Sequence, residues 1–192
     1  MLRKFAWVLI EANPASCEKL FQNRQRPTTR NLCTAVSSDS APITFNAGTE
    51  PAVFASQSQL QNMSQEYKNI FHQVKAEVTV PSAPLGYLLR ASGIKYIDLF
   101  SLDVEGSEMI VLDSMDWSIP VRVWCIEVEN HMEGDSDIER LLLSKGYTKV
   151  GWDASDIVGA HMNALFTWAG PERDWEPDSY MWHPYVPLVR SA

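Results

Sequence analysis

Three places in the chain put carboxylates where an apolar run gives way to a turn. The first is Glu11-Ala12-Asn13-Pro14, after the run Phe5–Ile10. A carboxylate there can accept both hydroxyls of a ribose, more strongly than a neutral acceptor could. The second is Asp103-Val104-Glu105-Gly106-Ser107-Glu108, after Ile97–Leu102. Crowded like charges raise one another's pKa, which suits a general base or a group that holds an ammonium or a sulfonium, and Gly106 lets a ligand approach the backbone closely. The third is Glu127-Val128-Glu129-Asn130-His131. Strand alternation puts Glu127 and Glu129 on one face, with His131 at the end as a general base near neutral pH. Each has a plainer reading: Glu11 as a solvated acid beside a helix N-terminus, Ser107 and its acidic neighbours as a helix cap, His131 as a surface loop residue.

Other chemistries lack their residues. There is no G-x-x-x-x-G-K-[ST], no G-x-S-x-G and no H-E-x-x-H, and His72, His131, His161 and His183 have no ligand spacing. Phosphoryl transfer, serine hydrolysis and a metal site are therefore not expected. Cys17, Cys33 and Cys125 are far apart, odd in number and without C-x-x-C spacing, so they are expected to be ordinary buried thiols.

The elements that must carry these residues follow from the hydrophobic pattern. Phe5–Ile10 is a buried strand, and a helix starting near Pro14 should turn Cys17, Leu20 and Phe21 inward. Short strands are expected at Asn31–Val36 and Pro42–Phe45. Residues 38–73 form an elaboration, with a helix from about Ser58 to Phe71. A strand at Val74–Val80 and a short helix at Pro84–Arg90, ended by Gly93, come next. Ile97–Leu102 is a buried strand, followed by a helix with Met109, Ile110 and Leu112 inward. Strand Val121–Val128, helix Ile138–Ser144, strand Tyr147–Trp152 and strand Asn163–Trp168 complete the alternation. Alternating strands and helices with buried apolar runs mean an α/β layer architecture with a largely parallel sheet. Residues 1–170 read as one domain. The tail, 171–192, is rich in Pro and aromatics and either packs back on the domain or offers a lid or partner surface.

Composition bounds the function. The 192 residues are 45% apolar and 10% aromatic, enough for a core, and the formal charge is -8 with no basic run. Nucleic acid is not an expected partner. Stretches such as Phe5–Ile10 and Val121–Ile126 are shorter than the roughly 18 to 20 residues of a membrane span. The first apolar run stops at Glu11, too early for a secretion signal, so a cytoplasmic placement is expected.

These motifs, in this order, resemble the FkbM-type methyltransferases. The matching residues are Leu9-Ile10-Glu11-Ala12-Asn13-Pro14 with Leu20 and Asn23-Arg24, then Thr34–Ser38, then Ala83-Pro84-Leu85 with Leu88-Leu89. The densest match is Ile97–Glu108, followed by Val111-Leu112 and Val123–Val128. The resemblance covers about residues 5 to 168, and its D-V-E-G-x-E element is fairly specific. It implies S-adenosylmethionine as cofactor and a Rossmann-like sheet, mostly parallel, with helices on both faces. It also implies O-methylation of a hydroxyl on a sugar or small metabolite, so the partner would be a small-molecule or glycan acceptor. By the same resemblance Glu11, with Asn13, would hold the adenosyl ribose. Thr34 and Ala35 would lie near the adenine, and Asp103 would face the methionine part. Glu105, Glu129 and His131 would border the acceptor and serve catalysis with Asp103.

The family opens with a strand and a glycine-rich turn that cradle the methionine end, and this sequence starts after that point. The domain is thus expected to be N-terminally truncated and to bind cofactor weakly or not at all. Such a sheet could be the main part of an active enzyme, or its two flanking strands could pair directly in a smaller sheet. The alternative function is a non-catalytic methyltransferase-like binding module.

Overall fold

The computed structural model describes residues 6–47, 54–56, 76–104, 106–127, 137–150 and 163–170. The expected helix at Ser58–Phe71 and the aromatic tail from residue 171 lie outside them. The fold is mixed α/β, in two compact units: residues 1–85 with 103–115, and residues 86–102 with 116–192.

In the first unit, β1 (Trp7–Glu11) and β2 (Thr29–Cys33) pair in parallel, with Trp7 opposite Thr29 and Glu11 opposite Cys33. Parallel neighbours require a crossover, and α1 (Pro14–Asn23) supplies it. Pro14 stands at the start of α1, where its missing N–H costs nothing. Asn13 caps the helix: its Oδ1 accepts the Ala15 N–H at 3.0 Å. Only Cys17 of the expected inward stripe is buried. Phe21 is 48% exposed, because α1 covers a two-stranded sheet too narrow to receive a wide apolar face.

Cys17 and Cys33 are joined by a disulfide, with Cα atoms 5.7 Å apart, in place of the separate thiols expected. Sequence distance concealed the pair. The β1–α1–β2 turn folds position 17 back onto the end of β2. Closing a loop of 16 residues in sequence stabilises the fold by about 3 kcal/mol on the chain-entropy account. Cys125 is a free, half-buried thiol whose pKa is pushed up by desolvation.

The rest of this unit holds β3 (Ala35–Val36) parallel to β7 (Ser82–Ala83). An antiparallel sheet has β4 (Ile43–Ala47) between β5 (Phe54–Ser56) and β6 (Ala76–Val80). Ala35, Phe45 and Val80 form its buried cluster, with Ala12, Ile43 and Val78 packed against it. Helix α3 (Glu108–Asp113) buries Glu108, Val111 and Leu112, whereas Ile110, expected inward, is 39% exposed. Leu112, also expected inward, is fully buried; in so short a helix the apolar residues fit more than one face, and the pattern alone did not separate Ile110 from Val111.

The second unit begins with α2 (Leu85–Ala91), which starts in the first unit at Leu85. The unit is built on a sheet in the order β10 (Tyr147–Val150), β11 (Asn163–Trp168), β9 (Val121–Glu127), β8 (Ile97–Leu102). β8 and β9 are parallel, but β11 is antiparallel to both β9 and β10. The sheet is mixed, and the mostly parallel one expected is not what forms. Apolar periodicity sets where strands lie and which face is buried, not the direction in which neighbours run. α4 (Asp137–Ser144) ends at Gly146, whose φ of +89 allows the turn into β10.

The core of this unit is aromatic. Trp124 and Phe166 are fully buried, and Trp124 meets Phe100 at 4.6 Å and Trp117 at 5.9 Å between ring centres. Tyr147 adds edge contacts to Trp124 and Trp168, and its hydroxyl donates to the Val121 carbonyl at 2.9 Å. β1 and β8 each have a single hydrogen-bonded neighbour among the described strands, and Trp7 and Leu99 are more than half exposed. No helix among the described residues is long and apolar enough to cross a membrane.

Candidate functional site

Glu11 ends β1 and is half-buried. Its Oε1 accepts the Asn13 N–H at 2.8 Å, and its carbonyl accepts the Thr34 N–H at 3.0 Å. The strand end, the helix cap and the residue after β2 are therefore fixed to one another through Glu11. Asn13 is buried, with its side chain spent on the cap and its carbonyl accepting the Cys17 N–H at 2.8 Å. A carboxylate held at one oxygen beside a helix N-terminus can still offer the other to a diol.

Thr34 turns its hydroxyl to the Pro81 carbonyl, 3.0 Å away, and Ala35 donates its N–H to the same carbonyl at 2.9 Å. The Ala35 side chain is buried with Phe45 and Val80. These two residues anchor the turn after β2 to β7.

Asp103 follows β8 and is exposed. The turn after it is closed by Glu108, which lies only 7% exposed and accepts the Val104 N–H at 3.1 Å and the Gly106 N–H at 3.3 Å on one oxygen. Gly106 has φ +90, a conformation that L side chains rarely adopt. Ser107 stands at the N-cap of α3 but makes no side-chain cap bond. Glu108 instead ties back the turn that precedes the helix. The sequence placed it among the acids of this turn and offered a helix cap as their plainer reading; its bonds to the turn amides come from the coordinates.

Of the expected site residues, Glu11, Asn13, Thr34, Ala35 and Asp103 all fall in the first unit. Glu105, Glu129 and His131 lie outside the described residues. Glu127 is buried at the end of β9 in the second unit. No cluster of three or more His, Cys, Asp or Glu among the described residues could hold a metal ion.

Compared with known protein families, residues 2–149 of the 192 match the methyltransferase FkbM domain. No curated protein and no solved structure matches the chain. The family match takes in β1 through most of β10 and every one of these site positions. The chain belongs to the FkbM methyltransferase domain family.

Proposed function

We propose that the chain is an S-adenosylmethionine-dependent O-methyltransferase acting on a hydroxyl of a sugar or small metabolite, on a Rossmann-like sheet. The observation that carries this reading is Glu11: within a matched methyltransferase domain it ends a strand, touches the cap of the following helix and holds Thr34. The parallel β1–α1–β2 crossover and the parallel β8–β9 pair support the sheet type. The residues fit the cofactor. A half-exposed carboxylate oriented by a backbone N–H suits a ribose diol, and an exposed Asp103 on a stiff turn suits a cationic group.

When bound, S-adenosylmethionine supplies a methyl group on a positively charged sulfur. In this reading Glu11 would hold the ribose, the Thr34–Ala35 segment would border the base and Asp103 would offer its charge to the methionine end. Glu105, Glu129 and His131 would serve the acceptor, with His131 as the general base for its hydroxyl. Positioning and proton removal are the protein's whole contribution, since methyl transfer needs in-line geometry and no covalent enzyme intermediate.

The test is titration of the chain with S-adenosylhomocysteine, followed by ligand-observed NMR, beside Glu11→Ala. Weak binding, with Kd on the order of 100 µM, that falls at least about tenfold in the variant is the expected result. Equal binding in both removes Glu11 from the site. No binding by the folded chain overturns the cofactor reading in favour of a non-catalytic binding module.

A further inference from the structure

We propose that Cys17 and Cys33 form a reversible redox site whose disulfide locks the first turn of α1 to the end of β2. The functional consequence rests on the cofactor reading proposed for Glu11; the redox chemistry does not.

The two sulfurs are unequal. Cys33 is the last residue of β2 and is exposed, whereas Cys17 is 1% exposed. An incoming thiolate can therefore reach the Cys33 sulfur and must expel Cys17. Cys17 closes the first turn of the ten-residue helix α1, so release of its sulfur frees that turn from the end of β2. The exchange balances with a dithiol as reductant. One of its thiolates bonds to the Cys33 sulfur and releases Cys17, which takes up a proton. Its second thiol then displaces Cys33 and leaves as a cyclic disulfide, so two electrons and two protons end on the cysteines.

The bond also stands where its opening is felt. Cys33 is opposite Glu11 in the β1–β2 register, Thr34 bonds to the Glu11 carbonyl, and the Cys17 N–H bonds to the Asn13 carbonyl. Each cysteine is thus one backbone bond or one residue from a position assigned to the adenosyl group. With the bond closed, Glu11, Asn13 and Thr34 are held by covalent structure. With it open, binding must order them, and affinity falls. Reducing cytosolic dithiols would favour the open form, and an oxidising compartment the closed one.

The test uses the full chain, oxidised or treated with dithiothreitol, with Cys17→Ser/Cys33→Ser as the permanently open form. Alkylation of the folded protein, read by mass spectrometry, should mark Cys17 and Cys33 only after reduction, with Cys125 as the internal reference. Amide exchange of Asn13–Cys17 and Cys33–Ala35 should quicken in the reduced protein and match the double variant. Binding of S-adenosylhomocysteine should weaken on the order of fivefold. Alkylation before reduction, a bond that resists dithiothreitol until the chain unfolds, or unchanged exchange each overturns the proposal. If neither form binds S-adenosylhomocysteine while labelling and exchange behave as expected, the redox site stands and the cofactor reading fails.

Discussion

A carboxylate that is mostly buried must be paired, and Glu108 is paired with two backbone amides of the turn that follows Asp103. Glu108→Ala leaves both N–H groups without that acceptor. Gly106 is exposed and Val104 half-buried, so each lost bond to the carboxylate is worth about 1 to 1.5 kcal/mol, and a loss of roughly 2 to 3 kcal/mol is expected in urea unfolding. Glu108→Gln keeps an acceptor oxygen and should lose only about 1 kcal/mol. Equal losses would mean that the buried charge, rather than the acceptor, holds the turn. Asp103 is the opposite case. It is exposed, so Asp103→Ala should change stability by no more than about 0.5 kcal/mol. The same variant should abolish S-adenosylhomocysteine production from S-adenosylmethionine over a panel of hydroxyl acceptors; normal turnover would remove Asp103 from catalysis. The sequence pointed to Glu11 and Asp103 because both are acids at strand ends. It named Glu108 among the acids of the same turn, but only coordinates show that the Ser107 side chain makes no cap bond and that Glu108 reaches back to the turn amides.

At the scale of elements, legibility followed the strength of the apolar run. Trp7–Glu11, Ile97–Leu102, Val121–Glu127 and Asn163–Trp168 lie within a residue or two of where continuous apolar residues placed strands. The two-residue pair β3–β7 was harder to read, since its hydrogen bonds come from positions about 47 residues apart and not from a local pattern. Strand direction in the β9–β11–β10 part escaped because periodicity carries no sign of it; Cys17 of α1 and Leu112 of α3 face inward as expected, but Phe21 and Ile110 do not, because short helices offer more than one apolar face. β9 also carries a conflict of its own. Trp124 is fully buried, yet its indole N–H has no hydrogen-bond partner among the described residues. An unmet buried donor costs about 1 to 3 kcal/mol, and removing that donor offsets the packing that a smaller ring gives up. Trp124→Phe is therefore expected within about 1 kcal/mol of the parent protein, whereas Trp124→Ala should lose about 3 to 5 kcal/mol. Chemical unfolding of the pair decides the point: a Phe variant nearly as unstable as Ala would show that the ring's volume outweighs its orphaned N–H.

At the scale of the whole molecule, the chain passes between the two units three times, at 85–86, 102–103 and 115–116. Neither unit is a continuous segment. Unfolding the second would leave the 103–115 insert of the first joined to residue 85 only through the unfolded loop 86–102, with its closure no longer supported. A single unfolding transition is therefore expected, and the distribution of residues allows a direct check. The residues assigned to the cofactor are in the first unit, while the packed aromatic cluster of Trp117, Trp124, Tyr147 and Trp168, whose ring contacts should give a near-ultraviolet circular dichroism signal, is in the second. A ligand that binds only the native state stabilises by mass action, about 2.7 kcal/mol at a hundred times Kd. If the units unfold together, S-adenosylhomocysteine should raise the Tm read from the aromatic signal as far as it raises the one read from amide exchange in residues 29–36. A ligand effect on the exchange alone, with the aromatic Tm unmoved, would show two units that unfold independently, and stability would then have to be assigned to each.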